Sequence, residues 1–481
     1  MKVVMISLFK PESGGGSGRV AHELTRAFAA CHETALIHPA EHTGPQPSED
    51  GLAVFGVRSA GQGDVWVPSL SAKNVGAITD FLDEFEPDVI HAHEPVSISI
   101  IAQIWARMHR VPFVHTSHIL PGKILDFGAV DALDVKLLQT ALSETVAQQL
   151  LSNFYQNCDA IIALNRYAEK ALRDFGYKGR LFIIPNGRDL SRYTQCERPD
   201  IEAEEKVLSF IGYIVPRKNQ AYLIDALRHL PAHYTLKLIG KALNPEYGKK
   251  LREMCQSYQL DNVVFTGQVE HENIPSHLAA CHVFVSASKM EVQSLVIIEA
   301  LAAGSPIVGL ANETIDELVD DAVGRRLPGD ADPATFAKAI EEICALDSAA
   351  YEEMCQRARA RVSDLDWPNI VHKTVDAYRD LIAEKENEPT EKPRSQLREQ
   401  LNDLLKLIPA SEGKTRLADK IRAWDEEHVD RTLLQKLAIA PKLRALRRVP
   451  GSTWLLAGLT IVVSFVGYVF MKLTYLRRSD S

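Results

Sequence analysis

Short apolar runs alternate with longer stretches of helical periodicity through the first 195 residues. Val3–Leu8, Thr34–Ile37, Val89–Ala92, Phe113–His115, Ala160–Ala163 and Leu181–Ile184 are predicted strands, and Gly18–Ala30 and Ser71–Phe85 are helical stretches between them. Such alternation implies a parallel, doubly wound sheet. After the polar, acidic patch Cys196–Lys206 the pattern restarts, with predicted strands at Val207–Ile211, Thr235–Ile239, Val263–Thr266, Val283–Ser286 and Pro306–Gly309. The expected fold class is therefore α/β, with two doubly wound Rossmann-like domains, 1–198 and 199–366, facing a cleft. A terminal helix over 367–385 is expected to pack back on the first domain. Parallel sheets take ligands at the carboxyl ends of their strands, so two such ends suit a bisubstrate site.

The far end of the chain reads differently. Residues 386–450 open on a charged, proline-containing linker and continue as a partly amphipathic helical segment that grows more basic. No charge occurs from Val449 to Met471. As helix, Thr453–Met471 would span about 28 Å, the thickness of a bilayer core, which predicts one transmembrane helix over 451–472. Lys436, Lys442, Arg444, Arg447 and Arg448 precede it, and Lys472, Arg477 and Arg478 follow. That bias places the large N-terminal part on the cytoplasmic side of the cell membrane, with the lipid bilayer as a partner.

A formal net charge of -9 argues against a general nucleic-acid binder, because a phosphate backbone needs a basic face. The seven cysteines are scattered and form no CxxC pair, which fits reduced thiols. The opening MKVVMISLF is too short an apolar run for a secretory signal and fits a buried strand.

Two segments carry candidate chemistry. Ser13-Gly14-Gly15-Gly16-Ser17-Gly18-Arg19 follows the first strand and opens a helix, where glycines permit close backbone approach and a helix N-terminus attracts anions. It is neither a phosphate loop ending in Gly-Lys-Ser/Thr nor a dinucleotide fingerprint, and on its own it is equally a tight turn. Glu291-Val-Gln-Ser-Leu-Val-Ile-Ile-Glu299 places one carboxylate before a helix and one inside it. The amides of Ser294, Leu295 and Val296 would be the free donors of its first turn, suited to a diphosphate. Taken alone, that spacing favours an amphipathic helix with incidental surface glutamates.

Together these pieces resemble glycosyltransferase family 4, retaining enzymes of the GT-B fold. Glu291 to Glu299, trailed by Ala-Ala-Gly-Ser-Pro-Ile-Val, looks like that family's E-x7-E signature. In the same order as the family, Gly15-Gly16 with Gly18-Arg19 resembles its glycine loop, His91-Ala-His93 its H-x-H segment, and His115-Thr-Ser-His118 its T-x-H segment. Ile184-Pro-Asn-Gly187-Arg-Asp189 resembles its P-N-G-x-D turn, Gly212 to Lys218 its phosphate-binding loop, and Phe265-Thr-Gly267 the strand and turn where the base sits. The resemblance covers about residues 1–385 and implies that domain 1–198 binds the acceptor and domain 199–366 the nucleotide sugar. It implies Gly16, Arg217, Lys218, Gly267, Val269, Glu291, Ser294, Leu295, Val296 and Glu299 as donor-binding residues, and His118, Glu291 and Lys218 as catalytic. It departs from the family at Tyr213, where many members carry an arginine; Arg217 is the candidate substitute.

Loss of a nucleoside diphosphate needs cations and amides where charge develops, and Lys218, Arg217 and the helix amides can supply them without a metal or cofactor. Asp364-Leu-Asp366 reads as a helix N-cap. His118 would hold the sugar or the acceptor hydroxyl, whereas His91 and His93 read as structural. The resemblance to diacylglycerol glucosyltransferases at Glu291-Val-Gln293-Ser implies UDP-glucose as donor and diacylglycerol as the membrane lipid acceptor. A polyprenyl-phosphate-linked or inositol lipid is the second choice. A non-catalytic, anchored nucleotide-sugar-binding module is the other class, motivated by Tyr213 alone.

Overall fold

The computed structural model describes residues 1–387 apart from 11–15, 49–50, 63–64, 69–70, 96 and 122–140. The predicted transmembrane helix, and the linker and helical segment before it from 388 on, lie outside the described residues. Among the described residues no helix is long and apolar enough to cross a membrane.

The chain divides into two compact units. The first comprises Met1–Ile184 and, from the last described helix, Val371–Asn387; the second is Pro185–Ile370. The division falls earlier than the 198 expected from the acidic patch. The reason is local: the Ile184 N–H still pairs with Ala163 O of the first sheet, whereas the Asn186 N–H already pairs with Gln293 of the second unit.

The described strands of the first unit are β1 (Lys2–Ile6), β2 (Glu33–Ala40), β3 (Gly44–Gln46), β4 (Ala53–Gln62), β5 (Val65–Pro68), β6 (Val89–Ala92), β7 (Phe113–Ser117), β8 (Ala160–Ala163) and β9 (Arg180–Ile183). They form one sheet in the order β3-β4-β2-β1-β6-β7-β8-β9, with β5 pairing on β4. β3 and β5 run antiparallel to β4 and the other pairs are parallel. Val3 to Ile6 and Val89 to Ala92 are fully buried, as expected of central strands covered by helices on both faces. The chain runs outward from β1 through β2 to β4, then resumes at β6 on the other side of β1. That reversal puts a topological switch point at the carboxyl ends of β1 and β6.

In the second unit β10 (Lys206–Ile211), β11 (Tyr234–Ile239), β12 (Val263–Gly267), β13 (Val283–Ser286), β14 (Ile307–Leu310) and β15 (Gly324–Leu327) give the order β12-β11-β10-β13-β14-β15, parallel throughout. Its switch point lies between β10 and β13. Leu208, Phe210, Leu236, Leu238, Val283 and Val285 pack against Ile224, Leu227, Phe336 and Ile340 of the covering helices.

The final described helix, Trp367–Asn387, begins in the second unit and continues in the first. Asp366 caps it by accepting the Asn369 N–H at 3.2 Å. Within the first unit its Tyr378 is buried against Phe28 and bonded to His91, while Asp380 pairs with Arg180 and Lys385 with Asp159.

Two loops at the carboxyl edge of the second sheet touch through glycine. Gly240, after β11, has φ +144, and a Cβ there would meet Gly212 O at 2.0 Å. Gly212, after β10, has φ +148. Gly240→Ala should therefore cost about 1–3 kcal/mol or more, through backbone strain and displacement of the Gly212 loop. Urea denaturation should show the midpoint falling; an unchanged midpoint would mean that the loops do not touch.

Candidate functional site

The carboxyl edge of the second sheet gathers most of the residues picked out by sequence. After β10 the chain leaves through Gly212, turns through a 3₁₀ segment Pro216–Lys218, and enters the helix Gln220–Leu227 at Asn219, a left-handed residue with φ +55. The buried Gln220 side chain donates to Tyr213 O at 2.9 Å and fixes the loop. A 3₁₀ turn rotates each residue by about 120°. Arg217 and Lys218 nonetheless converge, because the loop after β13 presents one carboxylate between them. Lys218 Nζ is hydrogen-bonded to Glu291 Oε1, and Arg217 Nη1 lies 3.7 Å from the same oxygen. The backbone locks this arrangement, with Lys289 N–H donating to Arg217 O at 3.1 Å and Arg217 Nη1 to Met290 O at 3.3 Å.

The charges follow from that geometry. Burial alone would push the Glu291 carboxyl up, but the Lys218 ammonium and Arg217 guanidinium outweigh it and hold its pKa below the ordinary carboxylate value. Burial, with Arg217 adding repulsion, lowers the Lys218 pKa although Glu291 pulls the other way. At neutral pH the Glu291 carboxylate is ionised and faced by two basic side chains at a strand carboxyl end.

The loop after β14 braces the site, and sequence reasoning missed it. Asn312 caps the helix Glu313–Leu318 by accepting the Thr314 and Ile315 N–H groups, while its Nδ2 donates to Ser288 O at 2.9 Å. Glu313 accepts the Glu291 N–H at 3.1 Å, and Thr314 Oγ1 accepts the Ser294 N–H at 2.9 Å. The expectation of three free amides therefore needs correction. Ser294 is the N-cap of the helix Leu295–Ala302, but its N–H is already satisfied by Thr314. Leu295 and Val296 remain as the first-turn donors facing outward from that end. The available signal was Asn312 itself, a strong N-cap residue following a predicted strand.

Glu299, one turn into that helix, is buried and ion-paired with Arg188 at 2.8 Å. His271 Nε2 lies 3.5 Å from it, and the Tyr193 hydroxyl shares its hydrogen bonding. Arg188 was not singled out from the sequence. It is tied down further by its N–H, which donates to Leu365 O at 2.8 Å. Gly267, with φ +79, and the half-buried Val269 lie at the end of β12, on the same edge of the sheet.

In the first unit the switch point holds a column of imidazoles. His91 and His93 stack at 4.6 Å between ring centroids, and His93 and His118 at 5.3 Å. His93 Nδ1 is 3.0 Å from His118 Nε2; His91 is held by the Tyr378 hydroxyl at 2.5 Å and Thr116 Oγ1 at 2.7 Å. Burial drives His91 and His115 to about 3 and His118 to about 4, and holds His93 well below its ordinary value. The column is uncharged at neutral pH. Beside it Glu94 Oε2 accepts the Leu8 N–H at 2.8 Å, and burial pushes this carboxyl up to about 8 despite that bond. Gly16 opens the helix Gly16–Ala29, while Pro11–Gly15 lie outside the described residues.

Both sheets thus present buried polar and charged side chains at their switch points. Residues 14–192 match the family model described as Glycosyltransferase Family 4, and residues 192–361 match Glycosyl transferases group 1. The chain is a glycosyltransferase. It is 27% identical to the alpha-monoglucosyldiacylglycerol synthase of Streptococcus pneumoniae, over 50% of this chain and 55% of that protein. It is 24% identical to the GDP-mannose-dependent alpha-mannosyltransferase of Corynebacterium glutamicum, over 80% of this chain and 90% of that one. The chain thus spans about half the length of the first relative and most of the second. Among solved structures, sucrose-phosphate synthase from Thermosynechococcus elongatus superposes with a TM-score of 0.64 at 21% identity, covering 80% of this glycosyltransferase and 99% of that chain. Anabaena Alr3699/HepE in complex with UDP and glucose superposes with a TM-score of 0.60 at 22% identity, covering 79% and 100%. The fold of this glycosyltransferase is the two-domain GT-B arrangement of parallel sheets.

Glu94 generates a pH prediction. Its carboxyl ionises near the ordinary glutamate value of 4.5 when unfolded, and burial raises this to about 8 when folded. The folded state therefore keeps a proton that the unfolded state loses. Its contribution to stability is whole below about 4.5 and is lost as pH rises to about 8. Glu94→Gln is neutral at every pH. Relative to the parent it should gain on the order of 1 kcal/mol per pH unit across that window. Urea midpoints at pH values near the two limits measure this; parallel curves for the two proteins would place the carboxyl in water.

Proposed function

We propose that this glycosyltransferase moves glucose from UDP-glucose to a membrane lipid, with diacylglycerol as first choice, retaining the anomeric configuration. The Arg217–Lys218–Glu291 cluster carries this reading. When the anomeric carbon–oxygen bond breaks, negative charge collects on the departing diphosphate. Lys218 and Arg217 are already gathered, desolvated and fixed by backbone bonds, so they lower the barrier without reorganising. The Leu295 and Val296 amides add the positive end of a helix. Glu291 has two tasks: accepting hydrogen bonds from sugar hydroxyls, and keeping the buried Lys218 compensated before the donor arrives. Glu299 and the turn at Gly267 and Val269 take the ribose and base, Gly16 approaches the donor, and His118 holds the sugar or the acceptor hydroxyl.

Diacylglycerol as acceptor is supported by the printed name of the Streptococcus pneumoniae relative and by the Glu291-Val-Gln293-Ser stretch. UDP-glucose is supported by the UDP and glucose in the HepE structure. The mannosyltransferase relative favours a GDP-sugar as the second donor to try. The uncharged run ending at Met471, with basic clusters on both sides, supports an anchor that keeps the enzyme on the cytoplasmic face beside a water-insoluble acceptor.

The leaving-group assignment predicts that Lys218→Ala lowers turnover more than it raises the Michaelis constant for donor. Glu291→Gln, which weakens charge-assisted bonds and uncompensates Lys218, should cost roughly 10- to 100-fold in turnover. Chelator should leave the rate unchanged. Steady-state kinetics with radiolabelled UDP-glucose and dioleoylglycerol micelles measures all three; loss of activity in EDTA would overturn the metal-free scheme.

The anchor is tested separately. Deleting residues 449–481 should release the protein from membranes while UDP-glucose binding stays within about twofold, since both sheets close their cores without that segment. A truncated protein that still pellets with salt-washed membranes would refute a single anchor.

A further inference from the structure

Three hydrogen-bond donors face the buried Glu299 carboxylate. Arg188 Nη2 lies 2.8 Å from Glu299 Oε1, and the two side chains are 3% and 5% exposed. The Tyr193 hydroxyl bonds the same carboxylate; burial, and then the charge of Glu299, push the phenol up, so it keeps its proton and donates. His271 Nε2 stands 3.5 Å from Glu299 Oε1. The other nitrogen of that ring, Nδ1, is 3.2 Å from Arg192 Nη1, which can only donate. In the neutral ring Nδ1 therefore accepts, and the proton sits on Nε2, toward Glu299. Of the three donors only Arg188 carries a permanent charge.

Arg188 is held at its root as firmly as at its tip. It belongs to the turn Pro185–Asp189, which is fastened at successive residues. The Asn186 N–H donates to Gln293 Oε1 at 2.7 Å. Gly187 sits so close to Trp367 that a Cβ would collide with the indole ring. The Arg188 N–H donates to Leu365 O at 2.8 Å, and Arg188 bridges Asp366 in parallel. All these partners lie in the second unit. A guanidinium delivered in this way is a planar fork, and it sets the direction of a carboxylate as well as its charge. A buried carboxylate left with neutral donors alone would tend to take up a proton. Glu299 stands on the helix whose Leu295 and Val296 amides face outward at the sheet's carboxyl edge. We propose that Arg188 is a positioning residue, which fixes the charge and direction of Glu299 so that the carboxylate receives the ribose hydroxyls of the nucleotide. This rests on the proposed ribose role of Glu299 and names the residue on which that role depends.

The full chain in detergent micelles is titrated calorimetrically with UDP and with GDP. Whichever binds is compared with its 2′,3′-dideoxy form, which lacks both ribose hydroxyls. Wild type should prefer the ribonucleotide about tenfold or more. Glu299→Gln and Arg188→Ala should each narrow that preference to about threefold or less, and the double variant no further than either, since the two side chains act as one unit. Affinity for the dideoxy form should stay within about twofold throughout, because the hydroxyl contacts alone are lost. Arg188→Lys keeps a counter-charge for the buried carboxylate, so it answers the same question should Arg188→Ala not fold; without the planar fork it should narrow the preference to about fivefold. Undiminished preference in the Arg188 variants that fold, a double variant that narrows it beyond both single ones, or equal weakening of both nucleotides would make Arg188 a scaffold residue and overturn the proposal. The ribose role would survive those results as long as Glu299→Gln still narrows the preference. A wild type that binds both forms alike, or neither nucleotide, would sink the ribose role of Glu299 and the proposal with it.

Discussion

A lysine ammonium taken out of water must be given a counter-charge, and much of the second unit's carboxyl edge is arranged around that demand. Lys218 is inside because Gly212 lets the chain leave β10 at an angle other residues disfavour, and because Gly240 leaves room for it. Glu291 supplies the compensation, and its own position is set by Glu313 accepting its amide proton. Arg217 is then drawn to the same carboxylate. The result is a pair of basic side chains held in place beside one carboxylate. Pre-arranged dipoles and charges of this kind reduce a barrier because nothing has to move when charge develops.

The same logic, with opposite result, governs the other sheet. Its switch point is also buried and polar, yet its stacked imidazoles are uncharged at neutral pH. Burial keeps four imidazoles from holding a proton at neutral pH, and the Glu94 carboxyl stays protonated to about 8.

How much of this was legible depended on whether the signal was local. Central strands such as Val89–Ala92 and Val283–Ser286 matched their predicted ends because burial on both faces leaves an unbroken apolar run. The strands that went unpredicted, β3, β4, β5 and β15, include those at the sheet margins. Gly324–Leu327 reads Gly-Arg-Arg-Leu, with only the glycine fully buried, and resembles a surface turn. In the site, Lys218 and Glu291 were reachable through motif order. The partnership of Arg188 with Glu299 was not, since an arginine in a turn gives no sign that it will be buried over a hundred residues away in sequence. Glu94 stood in plain view beside His93, but only burial distinguishes it from an ordinary surface glutamate.

The last described helix has a consequence for how the protein is made. Tyr378 completes the first unit: its ring packs on Phe28 and its hydroxyl holds His91, a residue 287 positions earlier in the chain. During synthesis at about 5–20 residues per second, the histidine column waits roughly 15–60 s for that hydroxyl after His91 has been made. Through that interval the second unit, whose residues are contiguous, can emerge and fold on its own. The order of folding on the ribosome therefore inverts the order of the sequence: the N-terminal sheet, first to be translated, is last to be finished.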